Sequence, residues 1–167
     1  MKSRFFGRFL LTLLLGSLLS FGLGARVHAI EVGQTLELPV VRLLDGRTPD
    51  RAEGQGKHTL IQIWASWCPF CKRQNAYLQS LVQKIPAQSL NILTISIDKS
   101  AEVAQQYISD HRYSFPVTMM TPELNAALGR MRGIPILLML DPANKVVLKE
   151  VGEMFEEDFA ELSRYAR

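Results

Sequence analysis

Hydrophobic and polar residues alternate along the chain with two spacings, one typical of strands and the other typical of helices. Residues 59–63 with Trp64 are β-branched, aliphatic and aromatic, which predicts a buried strand. Helical spacing follows at Tyr77, Leu78, Leu81, Val82 and Ile85. The later elements predicted in this way are strands at 90–97, 115–120, 136–140 and 145–151, and helices at 101–110, 122–128 and about 155–165. Because strands and helices alternate, the pattern favours an α/β fold with parallel βαβ pairing.

The segment ahead of the first long strand has its own pattern. Residues 30–45 are rich in apolar positions, and the dipeptide Asp45-Gly46 is a strong turn signal. We therefore predict a short N-terminal hairpin, or a strand and turn, before the core. Residues 48–57 are polar and contain two glycines, which predicts a surface loop.

The beginning of the chain resembles an export leader. Three basic residues precede an apolar run at 9–23, and Val27 and Ala29 suit the small-residue positions of a signal-peptidase site. This predicts a signal peptide over residues 1–29 and one domain over residues 30–167, lying outside the cytoplasm in the periplasm or cell envelope. The alternative is an uncleaved membrane anchor, since the run falls only a little short of the ~20 residues needed to span a bilayer.

Removing the leader changes the charge balance. The leader holds Lys2, Arg4, Arg8 and Arg26 and no acid, so the mature chain has fifteen basic and sixteen acidic residues. A nearly neutral domain lacks the excess of basic residues that attracts the phosphates of nucleic acid. We therefore expect no nucleic-acid partner.

The chemistry of the chain centres on its only two cysteines, Cys68 and Cys71. They form a C-x-x-C between the predicted strand and helix, and Pro69 suits a first helical turn. Cys68 is thereby predicted at a helix N-terminus, where free N–H groups and the macrodipole favour a thiolate. We predict Cys68 as the nucleophile of a redox-active dithiol and Cys71, one turn further on and more buried, as the resolving thiol.

Two other interpretations of the cysteine pair are weaker. A structural disulfide across so short a loop would stabilise the fold by only roughly 2 kcal/mol in the loop-entropy description. A zinc site needs about four ligands, and the mature chain adds only the distant His58 and His111. We expect no metal site and no cofactor beyond the Cys68–Cys71 disulfide.

Two motifs carry a resemblance to a known family. Trp64-Ala-Ser-Trp-Cys-Pro-Phe-Cys-Lys72 resembles the active-site segment of thioredoxin-fold proteins, and Arg132-Gly-Ile-Pro-Ile-Leu-Leu-Met-Leu140 resembles their cis-proline strand. The gap between the motifs is longer than in thioredoxin by about one βα unit. With the leader, that insertion is similar to the TlpA/ResA-like thiol–disulfide oxidoreductases of the bacterial envelope. The resemblance implies a thioredoxin fold, with a central mixed β-sheet flanked by helices and an inserted helix–strand unit between residues 101 and 120.

The resemblance also implies residues that contact substrate and a bond geometry. It implies a cis Ile134–Pro135 bond beside the cysteines, in a loop that meets the substrate backbone as in strand addition. The side chains implied to bind substrate are Trp67, Pro69, Phe70, Ile134 and Pro135.

The sequence departs from these relatives at two buried-carboxylate positions, and at Ala76, where the family has a helix-kinking proline. Thioredoxins carry a buried aspartate six residues before the first cysteine, where this chain has Gln62. Many TlpA/ResA-like proteins carry a glutamate six residues after it, where this chain has Gln74. Neither amide can accept a proton, so a base for Cys71 would come from elsewhere or from water. Phe70 replaces the histidine that helps DsbA-like oxidants to hold their thiolate.

These features predict a periplasmic enzyme that reduces protein disulfides, in cytochrome c maturation or in repair of envelope thiols. The expected partners are protein thiol and disulfide substrates and a membrane thiol electron donor. An uncleaved N-terminus would tether the protein to the membrane. We expect the domain to be a monomer. A periplasmic oxidase or isomerase is the main alternative. A non-enzymatic thiol- or copper-binding module is another, and a peroxiredoxin is disfavoured because Ala65 stands where its threonine would be.

Overall fold

The computed structural model describes residues 29–50, 52 and 54–166. Strands and helices follow one another as the spacing predicts. Their bounds are β1 Thr59–Trp64, α1 Pro69–Lys84, β2 Asn91–Ser96, α2 Ala101–His111, β3 Val117–Met119, α3 Pro122–Leu128, β4 Ile136–Leu140, β5 Val146–Val151 and α4 Glu156–Glu161. A short 3₁₀ turn, Leu162–Tyr165, follows α4. The strands and helices predicted after residue 58 are all present, although β3 and α4 are shorter than predicted.

The five strands form one mixed sheet in the order β3-β2-β1-β4-β5. β1 pairs in parallel with β2, and β2 with β3, while β4 runs antiparallel to both β1 and β5. The inserted unit, α2 with β3, therefore adds an edge strand to the sheet. This is the thioredoxin-like α/β fold that the sequence predicts, with helices flanking a central mixed sheet.

The alternation of side chains along β1 separates two buried cores. Leu60 and Trp64 face a first core, which contains both cysteines and packs against α1, α2 and α4. Ile61 and Ile63 face a second core, which packs against α3 and the N-terminal segment. Each fully buried aliphatic side chain stabilises the fold by about 1.5–3 kcal/mol, so the central strands hold the sheet rigid beneath the cysteine loop.

The predicted N-terminal hairpin is wrong. Residues 29–50 contain no strand, and only two isolated bridges occur there, Thr35 with Lys145 and Leu43 with Thr118. The two halves of the segment pair with opposite edges of the sheet instead of with each other, because their apolar side chains fill the second core. The predicted Asp-Gly turn does form, with Gly46 in the left-handed region at φ +86°.

The signal peptide and its alternative, a membrane anchor, concern a leader that lies almost wholly outside the described residues. Within residues 29–50, 52 and 54–166, no helix is both long and apolar enough to cross a membrane.

Candidate active site

The cysteine pair lies where β1 gives way to α1. Cys68 is the N-cap residue of α1, with extended backbone angles, and Pro69 occupies the first turn. The backbone N–H of Cys71 donates to Cys68 Sγ at 3.1 Å, so one of the free helix N–H groups serves the sulfur. The two sulfurs are joined as a disulfide. This geometry places the sulfur of Cys68 where a developing negative charge is stabilised.

Both cysteines are buried beneath the surface. Cys68 is 3% exposed and Cys71 is 0% exposed. The greater exposure of Cys68 agrees with its assignment as the attacking sulfur, but the two exposed fractions differ by little. The roles of the two cysteines therefore stay a prediction.

The proline loop closes over the sulfur of Cys68. The Ile134–Pro135 bond is cis, as the resemblance implies. The carbonyl oxygen of Ile134 lies 3.8 Å from Cys68 Sγ, and Gly152 N–H donates to the Pro135 carbonyl at 2.8 Å. Ile134 is half-buried and Pro135 is buried. A backbone edge is therefore held beside the disulfide, where an extended peptide would meet it.

An aromatic surface surrounds the buried sulfurs. Trp67 is 62% exposed and Phe70 is 51% exposed, and Pro69 between them is also exposed. The Arg73 guanidinium lies 5.2 Å from the Phe70 ring centroid and pairs with Glu153, which holds the pKa of that carboxyl below its usual value. Of the side chains assigned to substrate binding from the resemblance, Trp67, Pro69 and Phe70 are thus exposed next to the cysteines in the chain, and their role stays a prediction.

The two glutamines that replace family carboxylates meet in the first core. Gln62 and Gln74 are fully buried, together with Asn75. Gln62 Nε2 donates to Asn75 Oδ1 at 2.6 Å, and Gln74 Nε2 donates to Gln62 Oε1 at 3.2 Å. Gln74 Oε1 accepts from the backbone N–H of Met154 at 2.8 Å. A neutral chain of amides therefore runs from the cysteine helix to the segment before α4.

Two tyrosines lie next to this amide chain. The hydroxyl of Tyr107 lies near both Asn75 and Tyr113, and burial raises its pKa. Burial also raises the pKa of Tyr113, to about 12. Both phenols stay protonated at neutral pH, so neither supplies the base that the glutamines cannot provide.

Asp98 is a site residue that sequence reasoning missed, since the sequence predicts only a loop and an N-cap there. Its carboxylate accepts from Ser66 N–H at 3.1 Å, from Ser66 Oγ at 2.8 Å and from Ser96 Oγ at 2.8 Å. Ser66 lies two residues before Cys68, so Asp98 fixes the loop that presents the cysteine. The sequence did contain a signal for this contact. Parallel strands end at the same edge of a sheet, so the residues after Trp64 and those after Ser96 lie close together.

We expect Asp98→Asn to destabilise the oxidised protein by about 1–3 kcal/mol, because one of the two acceptor oxygens becomes an NH2 group that faces the donors of Ser66 or Ser96. Urea unfolding measures the change. Asp110→Asn is the matched control: it alters an exposed carboxylate that accepts from Gln106 at 2.7 Å, and a surface change of this kind costs less than about 0.5 kcal/mol. Equal effects of the two substitutions would contradict the assignment of Asp98.

Among the described residues, no group of three or more His, Cys, Asp or Glu side chains is placed to hold a metal ion.

Known proteins share this sequence pattern. A family model described as the AhpC/TSA family matches residues 33–149. The thiol-disulfide oxidoreductase ResA of Bacillus thuringiensis (strain Al Hakam) is 22% identical over 160 residues, covering 93% of this chain and 92% of the relative. The sporulation thiol-disulfide oxidoreductase A of Bacillus subtilis (strain 168) is 23% identical over 110 residues, covering 64% of this chain and 67% of the relative.

Solved structures share the fold. StoA from Bacillus subtilis superposes with a TM-score of 0.64 at 21% identity, covering 77% of this chain and 96% of that chain. A thiol:disulfide interchange protein of the thioredoxin family from Chlorobium tepidum TLS superposes with a TM-score of 0.69 at 23% identity, covering 83% and 98%. At these identities the likeness establishes the thioredoxin-like fold.

Proposed function

Because the chain belongs to the AhpC/TSA family and is a thioredoxin-like thiol–disulfide oxidoreductase with a Cys68–Cys71 pair, we propose that it reduces disulfides of proteins outside the cytoplasm. The observation that supports this most is the position of Cys68. It is the N-cap of α1, and its sulfur lies 3.8 Å from the backbone of a cis-proline loop. A disulfide held there can be attacked while its backbone is aligned.

The proposed reaction transfers two electrons from the dithiol to the substrate. The Cys68 thiolate attacks one sulfur of the substrate disulfide; a new S–S bond forms and the substrate bond breaks, releasing a thiolate. Cys71, once deprotonated, attacks Cys68 in this mixed disulfide and releases the second substrate thiolate. The two substrate thiolates take up the two protons that the enzyme thiols lose, and the enzyme is left as the Cys68–Cys71 disulfide.

The surroundings of Cys68 support the reducing direction. Phe70 stands where DsbA-like oxidants carry a histidine, so that source of thiolate stabilisation is absent. A less stabilised thiolate makes the dithiol a better electron donor. A membrane dithiol would then restore the reduced enzyme by the same exchange in reverse.

The proposed location and tether rest on the leader. We expect cleavage after Ala29 and a monomeric domain beginning at Ile30. Intact-mass measurement of membrane and soluble fractions checks the cleavage site. A full-length species found only in membranes would show that the leader serves as an anchor.

The test of the proposed function is reduction of insulin by the wild-type protein, with dithiothreitol recharging it, and alkylation of Cys68 and Cys71 in intact cells. We expect insulin reduction and a mainly reduced pair, which becomes oxidised when the membrane donor is deleted. A pair that is mainly oxidised, and becomes reduced when an oxidant is deleted, would identify an oxidase instead. Peroxide consumption without insulin reduction would identify a peroxidase, and neither activity would indicate a binding module.

A further inference from the structure

A groove of about 1050 Å³ lies on the face of the sheet opposite α1. Its apolar lining comes from β1, β4 and β5, from the end of α3 with the loop that follows, and from residues 29–30 of the N-terminal segment. The apolar residues from the strands, α3 and that loop are Ile63, Leu128, Met131, Ile136, Leu138 and Val151. The second core lies directly beneath, so the groove offers apolar contacts on a rigid floor.

The charge at the rim of this groove is positive. Arg130, Arg132, Lys149 and Glu31 line it. Lys149 Nζ pairs with Glu31 at 2.8 Å, so those two charges offset each other. Arg130 and Arg132 are exposed, and neither forms an ion pair with another of the described residues. Two unpaired guanidinium groups over an apolar floor fit an occupant that is both acidic and apolar.

The proline loop lies between the groove and the cysteine site, since Ile134 packs against both buried cores. Arg132 precedes Ile134 by two residues, and the carbonyl of Ile134 lies 3.8 Å from Cys68 Sγ. Ile136, two residues after Ile134, lies in the groove floor. An extended chain advances about 3.3 Å per residue, so substrate residues three to five positions from a bound cysteine reach roughly 10–17 Å along this surface.

We propose that this groove binds the segment of the substrate polypeptide that flanks its reactive cysteine, and that Arg130 and Arg132 select segments combining acidic with apolar residues. The inference rests on the proposed function and adds a substrate class to it. Arg130 and Arg132 are specificity-determining residues here, because they meet the substrate away from the reacting sulfurs. An anionic membrane surface would meet the same charges, but it would not fill the apolar groove whose lining residues Arg132 and Ile136 flank Ile134.

The experiment compares three internally quenched disulfide peptides that differ only at positions three to five on both sides of one cysteine. At these positions leucine alternates with aspartate in the first peptide, with serine in the second and with lysine in the third. The readout is the ratio of kcat/KM for the aspartate peptide to that for the lysine peptide. A ratio within one variant cancels any general change in its activity.

We expect the wild-type ratio to be about tenfold and to fall as salt is added, because exposed charges select partners through screened attraction. The double variant Arg130→Glu/Arg132→Glu should invert the preference, and Arg130→Gln/Arg132→Gln should bring the ratio close to one. The matched control, Lys84→Glu/Lys145→Glu, makes the same change in net charge at exposed positions. Those positions lie at the ends of α1 and β5 far from the cysteines, so the control should keep the wild-type ratio.

Three outcomes would overturn the inference. One is an aspartate-to-lysine ratio near one in the wild type while the peptides are still reduced. Another is an equal change of the ratio in the groove variant and in the control variant. The third is loss of binding to phosphatidylglycerol vesicles in the groove variant with the peptide preference intact, which would make the rim a membrane contact. Failure of the proposed function is distinct, because the wild type would then reduce none of the three peptides.

Discussion

Replacing Cys68 with serine is expected to lower the rate of disulfide exchange by at least about 10³-fold, since the attacking sulfur is removed. Cys71→Ser should still attack substrate but should accumulate the mixed disulfide, because no second thiol resolves it. The structural reason is the position of Cys68 as N-cap, with the Cys71 N–H donating to its sulfur. Non-reducing electrophoresis and mass spectrometry of trapped complexes measure both results.

The two cysteine variants control for each other. Each removes one sulfur of the same disulfide, so loss of the crosslink is common to both. The two variants are expected to differ only in whether they trap the substrate as a mixed disulfide. If Cys68→Ser trapped substrate and Cys71→Ser did not, the roles assigned here would be reversed.

Replacing Gln62 with aspartate is expected to have the next largest effect. Gln62 is fully buried and its Nε2 donates to Asn75 Oδ1, whereas an aspartate is one methylene shorter, has no N–H to donate and places a carboxylate in the core. We expect a loss of about 2 kcal/mol or more in the free energy of unfolding at pH 7. Urea unfolding measures the change, and Gln62→Met, which is neutral and similar in shape, is the control.

The loss in Gln62→Asp should depend on pH. Burial disfavours the charged carboxylate, so the pKa of the new aspartate should be higher in the folded than in the unfolded protein. The folded protein then binds more protons, and stability relative to the control falls as pH rises from about 3.9, the unfolded pKa, through the folded pKa. A loss that did not change with pH would show that the new side chain reaches water.

The same variant should also change the thiol chemistry. A negative charge near the cysteines disfavours the Cys68 thiolate, so the pKa of Cys68 should be higher in Gln62→Asp than in the wild type. The carboxylate would also offer Cys71 a base and speed release of the mixed disulfide near neutral pH. Thiolate absorbance against pH and single-turnover release of a model peptide measure the two effects. An unchanged or lower Cys68 pKa in a folded variant would contradict the coupling.

The sequence by itself determined the fold class and the chemistry, because both depend on local patterns. Strand and helix spacing predicted the elements after residue 58, and a lone C-x-x-C at a strand–helix junction predicted the position of Cys68 on α1. The substitutions at Gln62 and Gln74 were also visible without coordinates. Their hydrogen-bond partners were not visible, because Gln62 meets Asn75 and Gln74 across the strand–helix junction and the Met154 N–H lies 80 residues from Gln74.

Only the tertiary structure decided the features that depend on distant segments meeting. The N-terminal apolar residues bind to two edges of the sheet instead of forming a hairpin, a choice that the alternation of residues 30–45 leaves open. Asp98 reaches Ser66 because β1 and β2 lie side by side; the alternation of strands and helices favours parallel pairing but does not say which strands are neighbours. The groove beside Arg130 and Arg132 exists because α3 and the N-terminal segment leave part of the β4–β5 face uncovered. Local preferences therefore set each element, whereas competition for the same buried surface set where the elements meet.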